Sequence, residues 1–230
     1  MPTLSVVIPA YNEERFIAAL VGQVLAVPLD SLGVEREVIV VDDCSTDRTA
    51  EIVRGIDGVR LFSLARNSGK GAAVREGIAR ATGDYLIIQD ADLEYDPKDY
   101  LPMVRAILDR RADVVYGSRY LGRGRHAGQS VMAYLGGRSL SLVGWAMTGM
   151  YLTDTVTALK LFPRTLLPSL HLETRGFETD HEITAKVLAR GLRIVEVPVR
   201  YLPRSREEGK KIGARDWFIA VRTFWKYRRG

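Results

Sequence analysis

Cysteine and histidine are scarce in this chain of 230 residues. The single cysteine, Cys44, cannot form a disulfide within the chain. The three histidines, His126, His171 and His181, do not have the spacing of a metal-ligand motif. These two shortages exclude a disulfide-bonded scaffold and a zinc motif built from cysteine and histidine.

Hydrophobic runs long enough to cross a membrane are also missing. Residues 139–152 form a charge-free stretch of 14 residues, whereas a spanning helix needs roughly 17 to 25. We expect this stretch to be buried or interfacial, and its glycines argue against a single helix. The opening MPTLSVVIPAYNEE lacks the basic, apolar and small-residue pattern of a signal peptide, so the expected location is cytoplasmic.

Acidic residues are absent from residues 114–153, a span that contains Arg119 and Arg138. The net charge of +5 has a second local source, because residues 200–230 carry ten Lys and Arg against three Asp and Glu. Both regions are expected to contact anions. Nucleic acid is not among the partners that we expect.

Strand-like and helix-like apolar patterns alternate along the chain. This rhythm, with acidic residues following the strands, predicts a mostly parallel, doubly wound α/β sheet. We expect one catalytic domain over residues 1–213 and a basic amphipathic helix over residues 214–230. The predicted strands are residues 4–8 (ended by Pro9), 37–41, 59–64, 84–89, 113–116 and 192–201. The predicted helices are residues 12–27, 68–82 (closed by Gly83), 96–108, 178–190 and a segment ending at residue 54.

Three carboxylates, Asp90, Asp92 and Glu94, follow one apolar strand at two-residue intervals. They come at the carboxyl end of the strand, where ligands bind in open α/β sheets. A divalent cation that also contacts phosphate oxygens would offset their mutual repulsion, and Mg²⁺ and Mn²⁺ both prefer oxygen ligands. The alternative is an acidic helix start with Asp96 as N-cap and Pro97 as the first residue. That alternative accounts for Asp96 and Pro97 but not for Asp90 and Asp92.

The segment NSGKGAA, residues 67–73, matches a phosphate loop only in part. It lacks the first glycine and the final Ser or Thr of a Walker A motif, and Val74 stands at the third glycine of a dinucleotide fingerprint. What remains is a tight turn that leads into a helix. Its Lys70 either contacts a ligand phosphate or has no ligand role, and the sequence leaves both open.

Basic residues occur in two further places. Arg119, beside Ser118 in GSRY, follows a predicted strand at the same edge of the sheet as Asp90. A second group lies in PRSREEGKK. Guanidinium groups suit bidentate phosphate binding and lysines supply point charges, although a charge run is also typical of a solvated surface. The second group consists of Arg204, Arg206, Lys210 and Lys211.

Six segments in this order resemble family-2 glycosyltransferases of the dolichol-phosphate mannose synthase type. The resemblance covers residues 4–224 and implies a GT-A fold, a nucleotide-sugar donor and a divalent metal, Mg²⁺ or Mn²⁺. It also implies inverting transfer of a hexose to a polyprenyl phosphate. The segments are SVVIPAYNEE, VIVVDDCSTD, NSGKGAAVREGI, DYLIIQDADLEYDP, DVVYGSRY and EGKKIGARD.

The same resemblance implies roles for individual residues. The metal would be held by Asp90, Asp92 and Glu94. Catalysis is expected to depend on Asp92, Arg119 and Arg138. The residues expected to bind the donor nucleotide are Pro9, Tyr11, Glu13, Asp42, Lys70 and Asp90. The residues expected to hold the acceptor phosphate and the donor diphosphate are Ser118, Arg119, Arg138, Arg204, Lys210 and Lys211.

The chain also departs from the family pattern, with Cys44, Ala158 and Leu159 at positions where other residues are usual. These departures leave open the acceptor and the sugar. The base, UDP or GDP, is open for another reason, because uracil and guanine both offer N–H donors to a carboxylate. A transferase with a soluble sugar or protein hydroxyl acceptor is the alternative function. A hydroxyl acceptor would need a base, for which Asp180 or His181 is the candidate. With a phosphate acceptor no base is needed, and Asp180 is then expected to cap a helix or pair with an arginine.

The tail of the chain predicts contact with a membrane surface. Residues 214–228 have aromatic residues on one side and basic residues largely on the others, which is typical of helices that lie in a membrane interface. We expect peripheral attachment to the cytoplasmic face through this helix and the apolar span 131–152. Whether the chain forms a homo-oligomer stays open.

Overall fold

A computed structural model describes residues 1–122, 124–203 and 214–229. Its strands are β1 (Thr3–Ala10), β2 (Glu35–Asp42), β3 (Val59–Ser63), β4 (Tyr85–Ile88), β5 (Val114–Ser118), β6 (Lys160–Pro163) and β7 (Ile194–Pro198). They form one seven-stranded sheet in the order β3-β2-β1-β4-β6-β5-β7. All neighbouring strands are parallel except for the pairs of β6 with β4 and β5. The mostly parallel sheet predicted from the sequence is confirmed.

Helices cover both faces of this sheet. Successive side chains of a strand point to opposite faces, so Val6 of β1 belongs with Leu20 to the hydrophobic core on one side of the sheet, and Val7 belongs with Val74 to the core on the other side. Gly77 allows the helix that contains it, residues 70–80, to approach β1 closely, because a Cβ atom at this position would overlap Val7. The helices are α1 (Ile17–Leu25), α2 (Thr49–Arg54), α3 (Lys70–Arg80), α4 (Tyr100–Leu108), α5 (Val131–Thr148), α6 (Leu166–Ser169), α7 (Thr179–Ala189) and α8 (Ala214–Tyr227), with short 3-10 helices at Leu29–Leu32 and Pro97–Asp99.

The antiparallel strand β6 was not predicted from the sequence. It lies between β4 and β5, and its first residue, Lys160, is paired in register with Ile88 of β4 and Tyr116 of β5. Because β6 runs against its neighbours, its amino end meets their carboxyl ends. The inserted strand therefore places a lysine at the edge of the sheet where the predicted site lies.

The first loop differs from the sequence prediction in two ways. Pro9 does not end β1, since the strand continues to Ala10 and Pro9 is paired in register with Val41. Helix α1 then begins five residues later than the predicted residue 12. Asn12 has a φ of +54°, which is left-handed and incompatible with a helix start, and its backbone N–H donates to Ser45 Oγ at 3.0 Å. The loop is thus held by side chains that follow β2.

Helix α3 is also shorter than predicted. It ends at Arg80, and Ala81 already has an extended backbone with a ψ of 134°, so Gly83 does not close the helix. A Cβ atom on Gly83 would instead collide with backbone atoms of Thr3 and Ser5. The glycine is required for close packing against β1.

Residues 139–152 are not one helix, because α5 (Val131–Thr148) ends before Gly149, which has a left-handed φ of +77°. The expectation that glycines work against a single helix thus holds at Gly149 but not at Gly144, through which the helix continues. Gly144 is buried, and a Cβ atom there would lie 3.3 Å from Thr155 Cγ2 and 3.7 Å from Phe224 Cε1 of α8. Glycine at this position allows α8 to pack closely, which offsets its low helix propensity. Within the described ranges, no helix combines the length and the apolar character needed to span a bilayer.

Candidate functional site

The carboxyl ends of β1, β2, β4 and β5 meet at one edge of the sheet, as parallel strands require. Ala10 and Asp42, the last residues of β1 and β2, face each other in register. Pro9, Tyr11 and Glu13 therefore lie at the end of the strand beside Asp42. This edge is the place where open α/β sheets bind their ligands, and four of the predicted nucleotide-binding residues lie together there.

The two aspartates at the end of β2 shape the surrounding loops. Asp42 is buried and accepts a hydrogen bond from the backbone N–H of Ser45 at 3.1 Å. Asp43 is equally buried and accepts from the backbone N–H groups of Ser68 and Gly69, both at 2.7 Å. Asp43, which the sequence analysis did not single out, thus fixes the turn that leads to Lys70.

The side chain of Lys70 joins two carboxylates that are far apart in the sequence. Its ammonium Nζ lies 2.6 Å from Asp90 Oδ1 and 2.9 Å from Asp180 Oδ2. Lys160 continues the series, with Nζ 3.6 Å from Asp180 Oδ1 and 2.8 Å from the Asp180 carbonyl oxygen. The four charges alternate in sign, and we call this arrangement, Asp90, Lys70, Asp180 and Lys160, the charge chain.

Burial and neighbouring charges both act on the pKa values of the charge chain. Burial alone would lower the pKa of Lys70, but the charges of Asp180 and Asp90 raise it above its usual value. Burial lowers the pKa of Lys160 to about 8 despite the opposing effect of Asp180. Burial raises the pKa of the Asp90 carboxyl. Burial acts to raise the pKa of the Asp180 carboxyl, but the charges of Lys70 and Lys160 outweigh this effect and lower the pKa.

The three predicted metal ligands have different partners. Asp90 is paired with Lys70, Asp92 Oδ1 accepts from the backbone N–H of Glu94 at 3.2 Å, and Glu94 Oε2 accepts from the Tyr201 hydroxyl at 3.1 Å. Among the described residues, no group of three or more His, Cys, Asp or Glu side chains converges as a cation site. Mg²⁺ that binds substrate phosphates is usually held by only one or two carboxylates. Asp90 and Asp92 supply that number of hard oxygen ligands, so the residues fit such an ion.

Arg119 forms a buried ion pair. Its Nε and one terminal nitrogen donate to the two oxygens of Asp154 at 2.6 and 2.8 Å, and its backbone N–H donates to the same carboxylate at 3.1 Å. The guanidinium carbon also lies 5.2 and 5.0 Å from the ring centres of Tyr120 and Tyr201. Burial opposes the charge of Arg119, but Asp154 more than compensates and raises the pKa of the guanidinium. Arg119 is therefore a fixed cation.

Arg138 lies on α5 and reaches the same turn. One terminal nitrogen donates to the carbonyl oxygen of Thr153 at 2.6 Å and the other donates to the Tyr151 hydroxyl at 2.6 Å. The turn itself is held by Glu196 of β7, which accepts from the backbone N–H groups of Thr153 at 2.7 Å and Asp154 at 3.0 Å. A single turn thus orients both arginines.

Ser118 is buried at the end of β5 and bonds within the protein. Its hydroxyl lies 2.6 Å from the Thr153 hydroxyl and accepts from the backbone N–H groups of Tyr120 and Leu121 at 3.2 and 3.1 Å. These contacts shape the loop that carries Arg119. The basic residues Arg123, Arg204, Arg206, Lys210 and Lys211 lie outside the described residues.

The two candidates for a base have different surroundings. For transfer without a base, Asp180 was expected to cap a helix or to pair with an arginine. It does neither, and its carboxylate is instead the partner of two lysines. His181 is buried, its ring centre lies 5.5 Å from that of Phe224, and Nδ1 has no hydrogen-bond partner among the described residues. Burial lowers the pKa of His181 to about 4. His181 is a neutral core residue.

Sequence reasoning missed Asp154, Lys160 and Glu196. A signal for Asp154 was present, since it is the first acidic residue after the acid-free span 114–153 and lies where the arginines of that span need a counter-charge. For Lys160 and Glu196 no signal existed, because their positions depend on the unpredicted strand β6 and on the pairing of β5 with β7.

The sheet order and the charged edge define an α/β fold of the GT-A type. One solved structure that matches it is glucosyl-3-phosphoglycerate synthase from Mycobacterium tuberculosis in complex with phosphoglyceric acid, with a TM-score of 0.74 and 23% identity over 98% of this chain and 80% of that one. Another structure of that synthase, in complex with Mg²⁺ and uridine diphosphate, has a TM-score of 0.68 and 24% identity over 90% of this chain and 74% of the other. These likenesses establish the fold.

The family follows from the sequence comparison. The family model described as Glycosyl transferase family 2 matches residues 5–132, more than half of the chain. The chain belongs to glycosyl transferase family 2 and is a glycosyltransferase.

Relatives support this membership. Over 90% of this chain, the undecaprenyl-phosphate 4-deoxy-4-formamido-L-arabinose transferase of Edwardsiella ictaluri is 32% identical, and the low-salt glycan biosynthesis hexosyltransferase Agl6 of Haloferax volcanii is 30% identical. The chain spans 62% and 49% of the length of these two proteins. An uncharacterised protein of Methanocaldococcus jannaschii is 29% identical over 90% of this chain and 85% of its own length.

Proposed function

We propose that the protein transfers a hexose from a UDP- or GDP-linked sugar to a polyprenyl phosphate with inversion at the anomeric carbon. Membership of glycosyl transferase family 2 supports the reaction class. Two relatives support the acceptor class and the transferred sugar, because one is named as an undecaprenyl-phosphate sugar transferase and the other as a hexosyltransferase. The complex of a similar structure with Mg²⁺ and uridine diphosphate supports a nucleotide-linked donor. The structural observation that supports a lipid phosphate as acceptor is that one face of helix α5 combines an arginine with exposed apolar side chains.

Helix α5 combines a cation with an exposed apolar face. Val131, Leu135, Arg138, Leu142 and Trp145 follow each other at intervals of three or four residues, which places them on one side of the helix. The four apolar side chains are each more than half exposed. A lipid phosphate has an anionic head and a long apolar chain, and this face offers a partner for each.

The phosphate head would be held by fixed positive charges. Arg138 and Arg119 reach the same turn, and the guanidinium of Arg119 is kept in place by Asp154. Arginine suits phosphate because its planar fork matches two phosphate oxygens. Holding the acceptor oxygen behind the anomeric carbon of the donor would set up an in-line displacement with inversion.

Mg²⁺ or Mn²⁺, held by Asp90 and Asp92, would stabilise the negative charge that develops on the departing nucleoside diphosphate. Glu94 lies beside them, with its carboxylate on Tyr201. The nucleoside would lie at the ends of β1 and β2, where Asp42 and Glu13 can accept hydrogen bonds from the base or ribose. Both uracil and guanine offer N–H donors to a carboxylate, so these residues accommodate either base.

The state of Asp180 supports transfer without a protein base. Its carboxylate is already paired with Lys70 and Lys160 and its pKa is lowered, so it is a poor acceptor for a proton. A phosphate monoester needs no such help, because its second pKa is about 6 and it is mostly a dianion at neutral pH.

A soluble acceptor is the second candidate. It is favoured by the likeness to glucosyl-3-phosphoglycerate synthase, whose complex contains phosphoglyceric acid. That compound also carries a phosphate, so the arginines would serve either acceptor. The difference between the two candidates is the apolar chain and therefore the role of α5.

An acceptor panel tests the proposal. The purified chain is given UDP- and GDP-linked hexoses with Mn²⁺, and release of nucleoside diphosphate is measured with a short polyprenyl phosphate, with 3-phosphoglycerate, or with no acceptor. We expect release to depend on the polyprenyl phosphate. Faster release with 3-phosphoglycerate would favour the soluble acceptor, and the absence of release from every donor would exclude both.

A lipid acceptor also requires access to a membrane surface. Exposed Trp145 of α5 and exposed Phe218 and Trp225 of α8 lie on helices that pack against each other. We propose that these aromatic residues attach the protein peripherally to the cytoplasmic face of a membrane, as amphipathic helices with basic residues do. Co-sedimentation with anionic vesicles should fall for Phe218→Ser combined with Trp225→Ser, and equal co-sedimentation would exclude α8 as the attachment.

A further inference from the structure

Lys70 holds a position that a bound cation would compete for. Its ammonium contacts Asp90 at 2.6 Å and Asp180 at 2.9 Å, and only a tenth of the side chain is exposed. The centre of the Phe177 ring lies 5.9 Å from the same ammonium. The ammonium is thus enclosed by two carboxylates and an aromatic ring, and it serves as the counter-charge of Asp90.

The backbone around Lys70 is fixed. The preceding Gly69 has a φ of +90° and is held by Asp43, while the backbone N–H of Gly71 donates to the carbonyl oxygen of Arg175 at 2.7 Å. Cβ atoms on Gly69 or Gly71 would overlap this segment. The lysine therefore reaches Asp90 from an anchored start, and only its own side-chain torsions let it leave.

We propose that Lys70 acts as an internal cation at Asp90 in the donor-free protein, so that the divalent metal enters the site together with the nucleoside diphosphate and not before it. This inference rests on the proposed function. A metal that arrives alone must either displace the ammonium from Asp90 or bind beside a like charge. A metal that arrives with a nucleoside diphosphate brings negative phosphate oxygens, which give both the metal and Lys70 a new partner.

The arrangement of Asp180 makes this exchange feasible. When Lys70 turns from Asp90 to a phosphate, Asp180 keeps Lys160 as a counter-charge, with 3.6 Å between the charged atoms and 2.8 Å to the backbone oxygen. No buried carboxylate is left alone, which would be costly. Lys70 thus changes from the partner of Asp90 to a contact of the donor phosphates, which is the ligand role that the sequence left open for it.

Binding of Mn²⁺ to the protein without sugar donor or acceptor tests the proposal. Free Mn²⁺ is measured by electron paramagnetic resonance during titration of the wild type, Lys70→Met and Lys98→Met, each alone and with UDP or GDP. Lys98 is an exposed lysine whose loss changes the net charge equally. We expect Lys70→Met to bind Mn²⁺ alone at least about tenfold more tightly than the wild type, and Lys98→Met to match the wild type. With a nucleoside diphosphate present, this advantage should disappear.

The outcomes separate this proposal from the proposed function. If the wild type binds Mn²⁺ only with UDP or GDP and Lys70→Met also binds it alone, the proposal stands. If the wild type binds Mn²⁺ equally well with and without nucleotide, the proposal is overturned while the metal site is kept. If no protein binds Mn²⁺ even with nucleotide, the metal assignment fails as well. If Lys70→Met does not fold, the wild-type comparison can still overturn the proposal, and Lys70→Gln is the second variant that should bind Mn²⁺ alone more tightly than the wild type.

Discussion

Arg119 and Asp154 form a two-point ion pair, with 2.6 Å and 2.8 Å between the paired nitrogens and oxygens, in a place where Asp154 is 1% exposed. Arg119 was expected to be available to a phosphate. Its guanidinium is instead oriented by the Asp154 carboxylate. A phosphate would therefore contact a cation whose position is fixed and whose charge is partly offset by the neighbouring carboxylate. This makes Asp154 a residue on which the acceptor region depends.

We predict that Asp154→Ala destabilises the protein strongly. Removing one partner of a buried ion pair leaves an uncompensated charge, which costs about 3–5 kcal/mol. The free energy of unfolding, measured by urea denaturation, should fall by that amount. Asp57→Ala removes an exposed carboxylate and should change it by less than about 0.5 kcal/mol. Equal effects of the two variants would contradict the importance of the pair.

Much of the frame of this fold could be predicted from the sequence because it depends on local patterns. The strands β1 and β2 are apolar runs and both lie close to where they were expected, with Asp42 ending β2. The N-cap Asp96 is also where it was expected, and its side chain accepts from the backbone N–H of Lys98. Strand β6 could not be predicted, because it is only four residues long and owes its position to its neighbours. A short apolar run does not reveal the direction in which it enters a sheet.

For the candidate site, the sequence predicted which residues lie at the edge of the sheet but not which of them pair with each other. Asp90, Asp92 and Lys70 were identified from residue types at strand and turn ends, and all three lie at the expected edge. The pairing between Lys70 and Asp90 was not predictable, because 20 residues separate them and the contact depends on how α3 packs beside β4. The same holds for Asp180, which reaches Lys70 from α7. The sequence shows which side chains can bind charged ligands, whereas the partner that each side chain contacts depends on how the helices and strands pack.

We predict that Arg138→Met impairs use of the acceptor more than binding of the donor. Arg138 shares a face of α5 with exposed apolar residues, and it would contact the lipid phosphate. Loss of one charge-assisted contact should raise the KM for polyprenyl phosphate at least about tenfold. Binding of UDP or GDP, measured by calorimetry, should change less than about twofold. Arg54→Met, an exposed arginine of α2, is the matched control and should behave as the wild type. A weakened nucleotide affinity in Arg138→Met would place this residue on the donor side instead.

We predict that Asp92→Asn removes metal-dependent activity. The substitution keeps the size of the side chain but takes away the charge that would hold Mg²⁺ or Mn²⁺ against the diphosphate. Loss of that stabilisation should reduce kcat at least about a hundredfold and raise the Mn²⁺ concentration needed for half-maximal rate. Asp30→Asn, an exposed carboxylate in the 3-10 helix Leu29–Leu32, should leave both values unchanged. Full activity with unaltered metal dependence in Asp92→Asn would remove Asp92 from the metal site.

The charge chain offers the last prediction, which concerns the absence of a base. Asp180→Asn leaves Lys70 and Lys160 without their shared carboxylate, and Lys160→Met leaves Asp180 with one lysine fewer. Both should lower the free energy of unfolding, and the double variant should lose less than the sum, with a coupling of about 0.5–3 kcal/mol, because it buries fewer unpaired charges.

Turnover of the folded Asp180→Asn variant then separates structure from chemistry. Loss of a catalytic base costs about a hundredfold to ten-thousandfold in rate. If the acceptor is a dianionic phosphate, the variant should retain its rate within about tenfold, once the folded fraction is set equal by temperature. The double variant with Lys160→Met should not be slower, since the lost carboxylate served the lysines. A fall of more than about a hundredfold in the folded single variant, with nucleotide affinity intact, would instead assign Asp180 as the base of a hydroxyl acceptor.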